Sequence, residues 1–191
     1  MDLYEAIEKR RTTRQFKGPA SEEQLKRIIE AGTKAPSPGN NQCWEFVVVD
    51  DPELKDKIGE MKYVLSRGDK SREEPVSPEK EEDASGQKSC ITSSSLILIY
   101  YDTGTMGKLG ARTNAAAAWS CIENMLLTAT AEGMASKITT YWGEMPDAIA
   151  SLVNAPKRME LAAAISIGTA AEEPSPRDLR PDGSWLHQNR F

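Results

Sequence analysis

Arg10, Thr12 and Arg14 are the first group in this chain whose types and spacing could hold a charged ligand. They lie in Arg10-Arg11-Thr12-Thr13-Arg14-Gln15-Phe16, after a short amphipathic stretch, and the two β-branched threonines favour an extended exit from it. Side chains alternate along extended backbone, so Arg10, Thr12 and Arg14 would share one face while Arg11 and Thr13 point the other way. Phosphate suits such a face. The planar guanidinium fork matches its oxygens, and a charge-assisted hydrogen bond is worth about 1.5–3 kcal/mol. Taken alone, the same residues also read as a solvated basic helix end. A second group follows in Ala35-Pro36-Ser37-Pro38-Gly39-Asn40-Asn41-Gln42-Cys43-Trp44. The prolines and glycine set an irregular backbone, and Asn40, Asn41 and Gln42 each carry a donor and an acceptor suited to the edge of a planar heterocycle. A rigid helix-to-strand connection is the plainer reading of this loop.

The elements that must position these groups follow from capping and periodicity. Asp2 and Glu5 form a capping-box arrangement that opens a first helix, with Leu3, Ala6 and Ile7 on one face, ending before Arg11. Ser21 and Gln24 open a second, with Leu25, Ile28 and Ile29 inward and Gly32 near its end, and that end delivers the Pro36 loop. Glu45 to Asp50 reads as a buried strand, and Asp51-Pro52 starts a helix with Leu54, Ile58, Met61 and Leu65 at helical spacing. Between about residues 67 and 88 charge and Pro/Ser/Gly dominate, which predicts a mobile insertion, either a disordered surface loop or a lid. Leu96 to Tyr101 is a second buried strand. From Arg112 to Glu132 a long helix carries Ala115, Ala118, Trp119, Ile122, Met125, Leu126 and Ala129 as a wide apolar stripe. A turn and strand over Gly133 to Gly143, a helix from Pro146 to Val153, a strand from Leu161 to Ile167 and a proline-rich tail complete the chain.

Together the two motifs resemble the nitroreductase family of FMN-dependent oxidoreductases, in order as well as in kind. The family pattern Arg-x-[Ser/Thr]-x-[Arg/Lys] is met by Arg10, Thr12 and Arg14. Its Ala-Pro-Ser-x-x-Asn-x-Gln-x-Trp loop is met by Ala35, Pro36, Ser37, Asn40, Gln42 and Trp44, with Cys43 where the family most often has proline. The resemblance implies an α+β fold over 1–191 as a single domain, a central, mainly antiparallel sheet flanked by helices, and an intertwined homodimer. It implies FMN as cofactor, NADH or NADPH as electron donor, and ping-pong hydride transfer to an electron-poor acceptor such as a nitroaromatic or quinone. No side chain need be catalytic, because the chemistry is on FMN.

By the same resemblance the cofactor-binding residues are Arg10, Arg11, Thr12 and Arg14, with Arg10 at the phosphate and Arg14 near the pyrimidine edge. Ser37, Pro38, Gly39, Asn40 and Gln42 join them from the loop, with Ser37 to Asn40 contributed by the other subunit. Backbone donors near Thr139, Thr140 and Tyr141 face the central ring. In the tail Arg177 or Arg180 supplies a late basic contact to the phosphate, and Arg180 matches the family position better. Gln87 or Lys88, at the far end of the insertion, could reach the flavin, and Cys43 would bring a thiol near it. Two other readings stay open: a same-fold relative performing reductive dehalogenation or oxygen-dependent flavin chemistry, and a flavin-binding or sequestering protein with little turnover.

Composition bounds the partners. A length of 191 residues suits one domain with a sizeable core. A net charge of -5 argues against nucleic-acid binding outside the local cluster from Lys9 to Lys17. Cys43, Cys90 and Cys121 have no metal-like spacing and are expected as free thiols of a reducing cytoplasm. His187, the single histidine, has no triad partner in view, and neither a metal site nor a membrane partner is expected.

Overall fold

The longest strand, β5 (Met159–Ala170), organises the sheet. On one edge it pairs with β3 (Ser95–Asp102) and then, past Ile167, with β1 (Phe16–Pro19); on the other it pairs with β4 (Ala135–Thr139). β2 (Trp44–Val49) lies outside β3, with Trp44 opposite Tyr101 and Val49 opposite Leu96. Every ladder between these strands is antiparallel. The computed structural model describes residues 1–68, 76–104, 107–181 and 183–190. The α+β architecture expected from the sequence is therefore the one observed, including the mainly antiparallel sheet.

Alternation along the strands sends side chains into two cores. Ile97, Ile99, Ala163, Ile165 and Ile167 face α2 (Glu22–Gly32) and α5 (Gly107–Ala131). Leu96, Leu98, Tyr100 and Ala164 face α3 (Pro52–Arg67), α4 (Pro78–Thr92) and α6 (Met145–Leu152) through Ile58, Ile91 and Ile149. Close approach is written into two glycines. A Cβ at Gly32 would meet Met125 Cγ at 2.7 Å and Cys121 Sγ at 2.8 Å, and one at Gly168 would lie 2.3 Å from the carbonyl oxygen of Gly18.

The helices begin where their caps predict. The Asp2 carboxylate accepts from the Glu5 N–H at 2.9 Å to open α1 (Leu3–Lys9). Ser21 and Gln24 complete a reciprocal capping box on α2, and Asp51 with Pro52 opens α3. Three expectations are corrected. Residues 78–88, read as part of a mobile insertion, are the first turns of α4, capped by Ser77 and started by Pro78; residues 69–75 of that stretch lie outside those described. α4 buries only Ala84, Cys90 and Ile91, too sparse a set to show a periodic stripe. Trp119 is 41% exposed, because it sits ~100° around α5 from the inward Ala118. Of the predicted inward face of α1 only Ala6 is buried; Leu3 and Ile7 face out, since this short helix packs chiefly against α5.

Candidate functional site

The segment after α1 is stitched to β4 by backbone. Thr12 lies in parallel register with Ser136, and the Thr13 N–H donates to the Ser136 carbonyl at 3.0 Å. This pairing produces the expected alternation: Thr13 is buried at 5% exposure, while Thr12 and Arg14 face outward. Arg11 is engaged elsewhere. Its guanidinium turns back over the end of α1 and donates to the carbonyls of Glu8 and Arg10.

Arg10 is half-buried and has acquired a companion from the tail. Arg177 Nη2 donates to the Arg10 carbonyl at 2.7 Å, which draws a second guanidinium to the same place. Burial first, and the Arg177 charge second, lower the pKa of Arg10, with Glu123 opposing them. Neither arginine forms an ion pair among the described residues. Two neighbouring cations, one anchored by a backbone carbonyl and neither in an ion pair among the described residues, suit an anion with several oxygens. Of the two tail arginines, Arg177 is docked at Arg10, whereas Arg180 is exposed with no hydrogen bond among the described residues.

β4 runs from this basic corner with polar side chains buried on both of its faces. The side-chain oxygens of Ser136, Thr139, Tyr141 and Ser166 are buried and lack a hydrogen-bond partner, as does that of Tyr100. Buried hydroxyls are ordinarily satisfied, so these are exceptions; Ser136 shares the face of Ile138 toward α5, whereas Thr139 and Ser166 share the opposite face with Lys137. Thr140 is exposed just past the end of β4, and Tyr141 turns its ring into the core under α3 and α6. Burial raises the Tyr141 phenol well above its ordinary value.

The loop ahead of β2 has a different address. Gly39, Asn40 and Gln42 adopt positive φ of 57°, 54° and 46°, and the Gln42 N–H closes the loop on Ser37 Oγ at 3.0 Å. Pro38 starts its single 3-10 turn, Pro38–Asn40. Asn41 Nδ2 donates to Asn114 Oδ1 of α5 at 2.9 Å, and Asn114 Nδ2 to the Asp102 carbonyl at 2.7 Å, which fastens the loop to the end of β3. The side chains of Asn40 and Gln42 point outward. Within one chain the two motifs are not brought together. Ser136 lies across β5 from Ser95 at the start of β3, whereas Trp44 pairs with Tyr101 six residues further along, about 20 Å away on a strand.

Three more side chains named from the sequence have definite partners. Cys43 is buried at 7% exposure, its thiol donates to the Asn114 carbonyl at 3.6 Å, and burial raises its pKa. It is thus a core thiol. Lys88 is tied to Asp56 at 2.9 Å and Glu60 at 3.1 Å on α3, while Gln87 faces β4 and accepts a hydrogen bond from Lys137 Nζ. Lys137 itself was not singled out by spacing or motif. Its signal was only a charged residue at an inward position of a strand. Cys43, Cys90 and Cys121 are all free and buried, and no group of metal-binding side chains occurs among the described residues. Nor is any helix among them long and apolar enough to cross a membrane.

A model of the nitroreductase family matches residues 7–169, and the chain belongs to that family. A near full-length relative is an iodotyrosine deiodinase of Thermotoga neapolitana, 26% identical over 92% of this chain and 91% of that protein. Other matches are shorter: a Staphylococcus haemolyticus NADPH-dependent oxidoreductase is 34% identical over 35% of this chain and 28% of its own length. The chain spans about a quarter of the length of the first curated relatives it matches. The fold is that of an iodotyrosine deiodinase solved with FMN and 3-iodo-L-tyrosine, with a TM-score of 0.77 at 21% identity over 100% of both chains.

Proposed function

We propose that this chain is an FMN-dependent oxidoreductase that carries reducing equivalents from NADH or NADPH to a small electron-poor acceptor, such as a nitroaromatic or quinone. The observation that carries the reading is the joining of Arg10 and Arg177 at one corner of β4, in a chain that matches the nitroreductase family over residues 7–169. FMN, when bound, supplies the two-electron chemistry. The protein's part is to hold, orient and polarise.

Arg10 and Arg177 would grip the phosphate, and Thr12 would add a hydroxyl contact, since both lie on the outward side of the segment that Ser136 fixes. Arg14, exposed on the same segment, would lie toward the pyrimidine edge and favour negative charge there. Backbone donors from Thr139 to Tyr141 would face the central ring. Ser37, Pro38, Gly39, Asn40 and Gln42 would complete the site from a second subunit. The separation of about 20 Å between the two motifs along β3 supports that sharing. A homodimer is accordingly part of the proposal.

The test is the anaerobic visible spectrum of the purified protein before and after NADH or NADPH. Flavin bands that bleach support the proposal. Bands that persist would favour a flavin-sequestering protein, and failure to bind added FMN would overturn the site. A second reading, reductive dehalogenation, is favoured by the near full-length match to the Thermotoga deiodinase. Iodide release from 3-iodotyrosine by dithionite-reduced protein, without turnover of nitroaromatics, would select it.

A further inference from the structure

Lys137 occupies a position where a strand normally places an apolar side chain. It lies opposite Ser166 in the β4–β5 ladder, on the face covered by α4, while its neighbour Ile138 packs toward α5. Only 6% of it is exposed. Among the described residues no carboxylate lies within ion-pair distance of it; its Nζ donates instead to Gln87 Oε1, with the Cys90 thiol as a further neutral neighbour.

The amide is held in that orientation from behind. Gln87 Nε2 donates to Asp83 Oδ1 at 3.3 Å, one turn earlier on α4. Asp83, Gln87 and Lys137 thus form a row in which a neutral amide stands between anion and cation. Such a row fixes the ammonium in place while leaving its charge largely uncancelled. The other groups acting on Lys137 are Cys90 of α4 and Arg14 of the N-terminal segment. Burial and Arg14 lower its pKa, and Cys90 and Asp83 raise it. Lys62 of α3, the next cation outward, is engaged over the Trp142 ring at 5.1 Å and is itself affected by Lys137. The unpartnered hydroxyls of Thr139, Tyr141 and Ser166 line the same side of the sheet.

A buried cation without a counter-ion is costly unless something negative comes to it. We propose that Lys137, held by the Asp83–Gln87 row, is a charge-setting residue that acts with Arg14 to stabilise the negative charge FMN gains on reduction. The inference rests on the FMN reading of the site. It assigns to β4 a role that neither recognised motif carries.

The experiment is a potentiometric titration of the FMN-loaded full chain as wild type, Lys137→Met, Lys137→Arg and Gln87→Leu, with FMN affinity and the melting temperature of each apoprotein measured alongside. Lys137→Met is expected to weaken binding of reduced relative to oxidised FMN about ten-fold or more, a fall of about 30 mV in the two-electron midpoint potential. Lys137→Arg should restore most of it, and Gln87→Leu should shift the potential in the same direction by less. Apo Lys137→Met should melt above the wild-type apoprotein, because the uncompensated charge is gone. FMN bound to all four proteins at one potential would remove this role for Lys137 and leave the FMN reading standing. A wild-type chain that binds no FMN would overturn both.

Discussion

Arg10 is where residue chemistry is most exposed to test. Removing one guanidinium from a phosphate site deletes charge-assisted hydrogen bonds worth about 1.5–3 kcal/mol, so Arg10→Ala and Arg177→Ala should each weaken FMN binding roughly ten- to a hundred-fold. Fluorescence titration would read this directly. Arg180→Ala should change it little, and equal losses at Arg177 and Arg180 would refute the docking of Arg177 as the relevant contact. The alternation of Thr12 and Thr13 was legible in the sequence because a strand partner enforces period two, and Ser136 supplies one. The docking of Arg177 was not legible, because an irregular tail has no period and the contact depends on a carbonyl 167 positions away. The burial of Cys43 was not legible for a related reason: its neighbours Asn41 and Gln42 are exposed, but the step into β2 turns its side chain under Asn114.

At the scale of elements, packing across β5 sets the strictest demands. Gly168→Ala would drive a methyl group into the Gly18 carbonyl, and overpacking of this kind costs typically 1–3 kcal/mol. Urea denaturation should show a lower midpoint with the slope retained. α5 and β3 carry a pH signature. Burial pushes the Cys121 thiol from an ordinary 9.0 to about 12, and the Tyr100 phenol from 10.0 to about 12. The unfolded chain therefore releases these protons first. Their contribution is fully present below about pH 9 and is lost as pH rises toward 12, with a slope of up to about 1.4 kcal/mol per pH unit for each group. Cys121→Ala should flatten the decline between pH 9 and 10.5; an unchanged slope would mean that the thiol titrates as it does in water. Helices with side-chain caps, at Asp2, Ser21 and Asp51, were readable to within a residue or two of their starts. α4 was hidden because its run of Glu, Lys, Ser and Gly mimics a solvated loop, and it is held by α3 and β3, which lie outside its own sequence window.

For the whole molecule, the decisive feature is that one chain carries the two recognised motifs at opposite ends of its sheet. α1 meets α5 through Ala6 and leaves Leu3, Tyr4 and Ile7 exposed, Tyr4 at 83%, and Trp119 of α5 is exposed as well. Sedimentation equilibrium is expected to give a dimer that carries FMN. The double variant Tyr4→Glu/Ile7→Glu should shift it toward monomer with loss of flavin, and a stable flavin-loaded monomer would sink the shared site.

The order in which the strands are synthesised adds a constraint of another kind. β1 and β4 are complete before residue 159, yet each finds its ladder partner only in Met159–Ala170, and β3 until then has β2 alone. An emerging chain must therefore carry β1 and β4 without a ladder partner, and the apolar Ser95–Asp102 with one edge open, until β5 has left the ribosome. Such late, long-range closure makes folding slow and leaves sheet edges open to other chains meanwhile. A nascent chain stalled before residue 159 should accordingly be degraded or held by chaperones, whereas one stalled with β5 fully emerged should resist protease.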